Sequence, residues 1–359
     1  MNEFTKSALF VSAITFVGIA SLMGTATDNL NLSRAEILQG KAAQTLEVRF
    51  ETALPLRELG INFWAMLRYV VFNAGEPGVV IGESGWLFSS EEFFTPEFAE
   101  ENIINNFKTI SLVNEELSQQ GVQLVVVPVP SKVRVHEEWS SSEPTPEHQS
   151  LYPELIGYLR LHDIAHVDVL KSFTEAGGTF FLKTDTHWLP EAAAIAAEGL
   201  RSFSNNRESE EQFSIGDIRE ASLQGDLVNF IPLSPWFASI APQEETLVSW
   251  DVVANDASQD LFADIPLPSI ALVGTSYSAN PRWNFDGSLK IALNEDVINF
   301  ATEGQGPMVP MFEFLDKYRT ELPTLRMVVW EIPERYLVQP YPSRTARNPI
   351  HLAVTQIHN

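Results

Sequence analysis

The sequence predicts an α/β fold, a mostly parallel sheet with helices on both faces, preceded by an N-terminal transmembrane helix. Short, continuously apolar runs such as Ile270 to Val273 read as strands buried on both faces. They alternate along the chain with helix-like periodicity, the pattern of a parallel sheet covered by helices. Near the amino terminus, 21 consecutive residues (7–27) carry no charge.

As a helix, the uncharged run between Lys6 and Asp28 is roughly 30 Å long, enough to cross a bilayer. Lys6 and the α-amino group lie on one side and Asp28 on the other, so the positive-inside bias keeps the amino terminus in the cytoplasm and exports the body. A cleaved signal peptide ending at Gly24-Thr25-Ala26 is the alternative. The run exceeds the usual apolar region of about 7 to 15 residues, which favours an uncleaved signal-anchor. Ser33 with Glu36 forms a capping box opening a helix towards Thr52, and Leu59, Phe63, Met66, Leu67 and Val70 repeat at helical spacing after Pro55. Residues 28–74 are therefore expected as a helical neck and 75–345 as the catalytic domain.

After a Gly/Pro break at Gly75 to Gly78, Val79 to Ile81 and the stretch through Phe88 read as a hairpin. A helix over Glu100 to Gln119 leads into a strand at Val122 to Val127, and one over Glu147 to Leu161 into a strand at His166 to Val169. Phe180 to Leu182 adds a strand run before a helix from Pro190, suited to a first turn, to about Ser202. Val297 to Phe300 and Arg326 to Trp330 supply further strands. Between about 203 and 268, Pro, Ser and Asp break the rhythm, and this stretch reads as an acidic insertion on the same domain.

Charge narrows the function. With 23 Lys and Arg against 47 Asp and Glu, the net charge is −24 and the pI near 4.6. Nucleic acid is excluded as a partner by an unfavourable long-range field. From Glu208 to Ile265 twelve carboxylates face one base, Arg219. The absence of cysteine removes structural disulfides, Cys-ligated zinc and thiol catalysis together.

The strand run ending at Val273 delivers Gly274-Thr275-Ser276-Tyr277-Ser278, placing a serine at the sheet edge where open α/β folds bind ligands. Its Oγ is exposed in such a turn, and the backbone N–H groups that follow face an oxyanion; a plain turn or helix cap is the competing reading. Thr184-Asp185-Thr186-His187-Trp188 also follows an apolar run. If the backbone is extended there, Asp185 and His187 point the same way, about 6 to 7 Å apart at Cα. The carboxylate then accepts the Nδ1 proton and leaves Nε2 as base. The alternatives are a cap for the helix after Pro190 and a metal pair. The metal is discounted because no second Asp-x-His or His-x-His completes a ligand set.

Seven motifs, GWLF at 85–88, VVVPVPSK at 125–132, DTHW at 185–188, GTSYS at 274–278, RWNF at 282–285, EGQGP at 303–307 and WEIPERY at 330–336, fall in one collinear series. Together, from about residue 55 to 336, they resemble the AlgJ and AlgX family of bacterial alginate O-acetyltransferases. The resemblance implies an SGNH-hydrolase-like fold in which Asp and His precede Ser, as here. By motif, Ser276 is the nucleophile, His187 the base and Asp185 its orienter. A chain that begins with an anchor and stops soon after WEIPERY is similar to the AlgJ type. AlgX-type members carry a further carbohydrate-binding module, for which the 23 residues after Tyr336 leave no room. The resemblance further implies a periplasmic enzyme on the inner membrane, an acidic alginate-like polysaccharide as acceptor, a membrane-bound O-acyltransferase as acetyl supplier and an AlgX-like partner. No cofactor is expected.

Lesser candidates surround this core. Gly304, Gln305 and Gly306 follow a strand run and read equally as oxyanion donors or turn residues. Arg282 suits a sugar carboxylate and Trp283 a sugar ring, although Trp283 also reads as core. Six bases against four acids between Asp316 and Arg347 make a local positive balance, from which Arg335 is tied to the site, with Glu331 and Glu334 as its alternative partners. His136, His148, His162, His166, His351 and His358 read as surface or structural residues. A carbohydrate esterase with the same triad, and a non-catalytic polysaccharide-binding subunit, are the rival functions.

Overall fold

A computed structural model describes residues 57–205, 210–233, 235–255 and 268–342. The expected anchor at 7–27, the helix from Ser33 and parts of the acidic insertion lie outside them. Among the described residues no helix is long and apolar enough to cross a membrane. They form two compact units, one comprising 57–74 with 231–241 and the other 75–230 with 242–342. The first holds helix α1 (Arg57–Phe72), at the place where the apolar spacing after Pro55 predicts it, and a 3-10 segment, Pro235–Ile240.

The second unit opens with the hairpin β1 (Val79–Ile81) and β2 (Leu87–Ser89), paired antiparallel. Then follow α2 (Ala99–Gln119), β3 (Gln123–Val129), the single turn α3 (Lys132–Val135), α4 (Pro146–Leu161), β4 (Ala165–His166), α5 (Val169–Ala176) and α6 (Pro190–Glu198). A two-stranded antiparallel ribbon, β5 (Phe213–Leu223) and β6 (Glu245–Ala254), lies within the described part of the acidic insertion. The chain then returns to the sheet with β7 (Ile270–Val273), the short α7 (Ser276–Ala279), α8 (Phe285–Leu293), β8 (Val297–Asn299), α9 (Met308–Lys317) and β9 (Met327–Pro333).

The central sheet has the order β4-β3-β9-β7-β8, and every pairing in it is parallel. Successive side chains along its strands serve opposite faces. Val125, Val127, Leu272 and Val329 pack with α5, α6 and α8 on one side, whereas Leu124, Val126, Ala271 and Val328 pack with α2, α4 and α9 on the other. Burial on both faces is why these strands read as continuous apolar runs.

Two strand expectations are corrected. The run at His166 to Val169 yields only β4, because the Asp168 carboxylate accepts the Lys171 amide and starts α5 at Val169. Phe180 to Leu182 forms no sheet strand; Phe181 makes an isolated antiparallel bridge with Trp188, which closes a bent loop. Conversely, β3 runs on through Pro128 because β4 pairs with it only at Val125 and Val126, so no ladder to β4 is interrupted at the proline.

Candidate active site

The carboxyl ends of β3, β7 and β9 define one edge of the sheet, the edge where open α/β folds place ligands. After β7, Gly274 leads to Thr275, whose side chain caps the turn by accepting the Tyr277 amide, and Ser276 begins α7 half-buried. The turn is held from β9. Glu331, fully buried, accepts the Thr275 amide at 2.7 Å, the Thr275 hydroxyl at 3.0 Å and the Ser278 hydroxyl at 3.0 Å. Burial pushes the Glu331 carboxyl up to about 7, against the pull of these hydrogen bonds.

Gly274 permits this approach: a Cβ there would lie 2.5 Å from Glu331 Oε2 and 2.9 Å from Glu331 Cβ. Gly274→Ala is expected to cost roughly 1–3 kcal/mol by overpacking. It should also displace Ser276, so that activity falls more than the folded fraction does. Thermal unfolding with active-serine titration checks this; a variant of native Tm and full titre would show the contact to be relaxed at no cost.

Asp185 and His187 sit in the bent loop closed by the Phe181–Trp188 bridge, so an extended backbone does not align them. The aspartate turns back on its own chain instead. Asp185 Oδ1 accepts the His187 amide at 2.9 Å and His187 Nδ1–H at 2.6 Å, an Asx-type turn that delivers the same two-residue juxtaposition. His187 Nε2 lies 2.8 Å from Ser276 Oγ, and with Nδ1–H donated to the carboxylate it accepts the serine hydroxyl. Burial raises the Asp185 carboxyl, but the His187 side chain and the amides of His187 and Asp226 outweigh it and hold it below the usual range. The helix-cap alternative lapses, since Leu189 starts α6 without a side-chain cap.

Two carboxylates from the acidic insertion brace this loop, and neither was singled out from the sequence. Asp226 accepts the Thr186 amide at 2.8 Å and the Thr186 hydroxyl at 2.6 Å, while its own amide donates to Asp185 Oδ2 at 3.0 Å. Glu245 accepts the amides of Lys183 and Thr184 at 2.8 and 2.7 Å. Gly225 makes this possible, because a Cβ there would stand 2.1 Å from the Thr184 carbonyl oxygen. Asp185, His187 and Asp226 bring ligand-type atoms within 4.8 Å of one another. Their atoms are committed to each other and to Thr186, which fits an oriented imidazole better than a metal set.

The remaining predicted residues divide. Trp283 is 3% exposed and stacks on His187, ring centroids 4.7 Å apart, so it flanks the imidazole and leaves no face for a sugar. Arg282, beside it, is exposed. Arg335 is buried and is linked to the site by hydrogen bonds through Tyr277: its Nη1 donates to the Tyr277 hydroxyl at 2.7 Å, which donates to the Thr186 carbonyl at 2.6 Å. It forms ion pairs with Glu91 and Glu92; Glu331 feels its charge without pairing with it, and Glu334 pairs with Arg134. Gly304 and Gln305 are exposed, and Gly306, at φ 65°, lies under the Tyr341 hydroxyl. Among the described residues no hydrogen bond joins these three to Ser276 or His187. Of the bases beyond Asp316, Arg344 and Arg347 lie outside the described residues; among those described, Arg319 pairs with Glu116 and Asp316, and Arg326 with Glu295. His136 and His148 are buried, His136 Nε2 accepting the Phe180 amide.

A serine at the carboxyl end of a parallel strand is thus hydrogen-bonded to a histidine that is itself hydrogen-bonded to an aspartate, the arrangement of a serine-dependent acyl-transfer site on an α/β sheet. Residues 79–334 match the family described as ALGX, "SGNH hydrolase-like domain, acetyltransferase AlgX". Over 321 residues the chain is 40% identical to the "probable alginate O-acetylase AlgJ" of Pseudomonas aeruginosa, covering 84% of this chain and 81% of that one. The solved O-acetyltransferase domain of Pseudomonas putida AlgJ superposes with a TM-score of 0.65 at 36% identity, covering 74% of this chain and 94% of that domain. Pseudomonas aeruginosa AlgX, at 23% identity, 72% and 66% coverage and a TM-score of 0.52, shares the fold. The chain belongs to the SGNH hydrolase-like acetyltransferase family of AlgX and AlgJ.

Proposed function

We propose that the protein is a periplasmic O-acetyltransferase that places acetyl groups on hydroxyls of an exopolysaccharide, alginate by the names of its relatives, through an acetyl-Ser276 intermediate. The observation that carries this reading is the unbroken hydrogen-bond chain Ser276–His187–Asp185 in a member of an acetyltransferase family. Ser276 Oγ attacks the acetyl carbonyl carbon of a donor while His187 Nε2 takes the hydroxyl proton. The tetrahedral oxyanion collapses, the donor's leaving oxygen receives that proton, and the serine is left acetylated. A sugar hydroxyl then binds, gives its proton to Nε2 and attacks the acetyl carbon. Ser276 departs and recovers the proton. Asp185, held ionised, keeps Nδ1 protonated and stabilises the imidazolium formed in each half.

Export by the apolar segment 7–27, as an inner-membrane signal-anchor or as a cleaved signal peptide, would carry the site out of the cytoplasm. A membrane-bound O-acyltransferase is the acetyl supplier and an AlgX-like acetyltransferase the partner. Arg282, exposed beside Trp283, is our candidate for contact with a uronate carboxylate.

The purified protein is tested with p-nitrophenyl acetate as donor, with and without mannuronate oligosaccharides, and the oligosaccharides are read by mass spectrometry. Acetylated oligosaccharides are expected. Nitrophenol release with no acetylated sugar would make it an esterase that passes acetyl to water. A folded protein inert in both assays would leave only a binding role.

A further inference from the structure

We infer that Lys132 is a positioning residue for the Asp185–His187 pair, its ammonium supplying three N–H donors that tie one main-chain carbonyl of β2 to two of the loop that carries Asp185. The inference rests on the triad reading above. Lys132 has no solvent exposure, and its Nζ donates to Leu87 O at 2.5 Å, Lys183 O at 2.9 Å and Asp185 O at 2.9 Å. These carbonyls lie 45, 51 and 53 residues away in the chain, on β2 and on the loop that carries Asp185. An ammonium has three donors and no acceptor, so donors and carbonyls match one to one. The base of the side chain is itself fixed: Glu92 Oε1 accepts the Lys132 amide at 3.2 Å and Glu92 Oε2 the Val133 amide at 2.9 Å. The rings of Trp86 and Phe88 lie 5.2 and 5.3 Å from the ammonium.

The titratable groups facing it are the His136 imidazole, which burial and the Lys132 charge hold below its usual range, and carboxylates from four segments: Glu92 in the turn after β2, Asp185 on the loop, Asp226 after β5 and Glu245 at the start of β6. All four carboxylates favour the charged form of Lys132. Burial opposes them and prevails, and the pKa falls to about 8. Above that pH the group is an amine with two donors and a lone pair. One of the three carbonyls then loses its donor and meets the lone pair instead. Activity is therefore expected to decline as pH rises through about 8, governed by a group that touches neither Ser276 nor the acceptor. Arginine is a poor replacement, because its planar fork does not converge on three carbonyls.

The test is the pH–rate profile of the full-length protein on p-nitrophenyl acetate for wild type, Lys132→Arg, Lys132→Met and Ser276→Ala. The wild-type profile should show the alkaline limb near pH 8. Lys132→Met should lose on the order of 10²-fold in kcat with KM little changed, as a misplaced catalytic group does, and should lack that limb. Wild-type kcat in Lys132→Met, or an identical alkaline limb, overturns the inference. If that variant does not fold, Glu92→Gln removes the facing carboxylate and should move the wild-type limb to lower pH; an unmoved limb overturns the inference equally. Activity surviving Ser276→Ala would instead sink the triad reading, whereas activity lost there beside a Lys132-independent limb sinks only the positioning role.

Discussion

Ser276→Ala is expected to eliminate acetyl transfer and to leave the fold intact. The substitution removes one half-buried oxygen whose contact with His187 Nε2, at 2.8 Å, is part of the reacting chain and supports no other element. The expected loss is about 10⁶ in kcat, with unfolding free energy within about 0.5 kcal/mol of wild type. His187→Ala is expected to lose as much. The double variant should lose no more than either, because nucleophile and base act as one unit. Steady-state kinetics with thermal unfolding on the same samples checks all three. Transfer surviving in Ser276→Ala would mean that another group attacks the acetyl carbon.

Asp185→Asn should lose roughly 10⁴ in kcat while folding. In the wild type one carboxylate oxygen accepts both His187 N–H groups and the other accepts the Asp226 amide. An asparagine offers one oxygen and an NH₂, so it satisfies His187 or Asp226 and turns a donor against the other. If the oxygen turns to Asp226, the NH₂ faces Nδ1 and selects the tautomer that is protonated at Nε2, which no longer accepts the serine proton. The stability difference has a sign as well. Asp185 is held below the usual carboxylate range when folded, so it stabilises the protein above that range and the contribution fades as pH falls through the folded value. The wild type's advantage in unfolding free energy over Asp185→Asn should therefore shrink on acidification, as denaturant titrations at neutral and acid pH can measure. Full activity in Asp185→Asn would leave the orienting carboxylate to be found elsewhere.

What could be read from the sequence followed from how far each feature reaches along the chain. β7 was legible residue for residue, because burial on both faces writes four apolar residues in a row. The β5/β6 ribbon was not. Its faces are largely solvated, and residues such as Ser214, Asp217 and Glu220 leave no apolar alternation to detect. Ser276, and the Asp185–His187 pair two residues apart, had local patterns, although the turn that joins the pair is an Asx turn and not a strand. Asp226, Glu245 and Glu331 act on residues 40, 61 and 56 positions away, and a lone carboxylate in an acidic chain has no signature of such a partner. Lys132 and Glu331 stood inside motifs already noted, but their purpose becomes visible only once three chain segments meet at the sheet edge.

The position of β9 bears on how the molecule folds. It is the last described strand in the chain yet lies in the middle of the sheet, between β3 and β7, with Gln123 opposite Met327 some 200 residues later. Until it arrives, β3 and β7 face each other across an empty slot as two unpaired edges, prone to mispairing. Closing so long a loop comes before any contact that rewards it, which marks the topology as slow to fold. The same strand brings Glu331 to the nucleophile turn and leads into Arg335 behind Tyr277. A nascent chain in which β9 has not yet been synthesised therefore lacks Glu331, the carboxylate that holds the nucleophile turn in the folded protein.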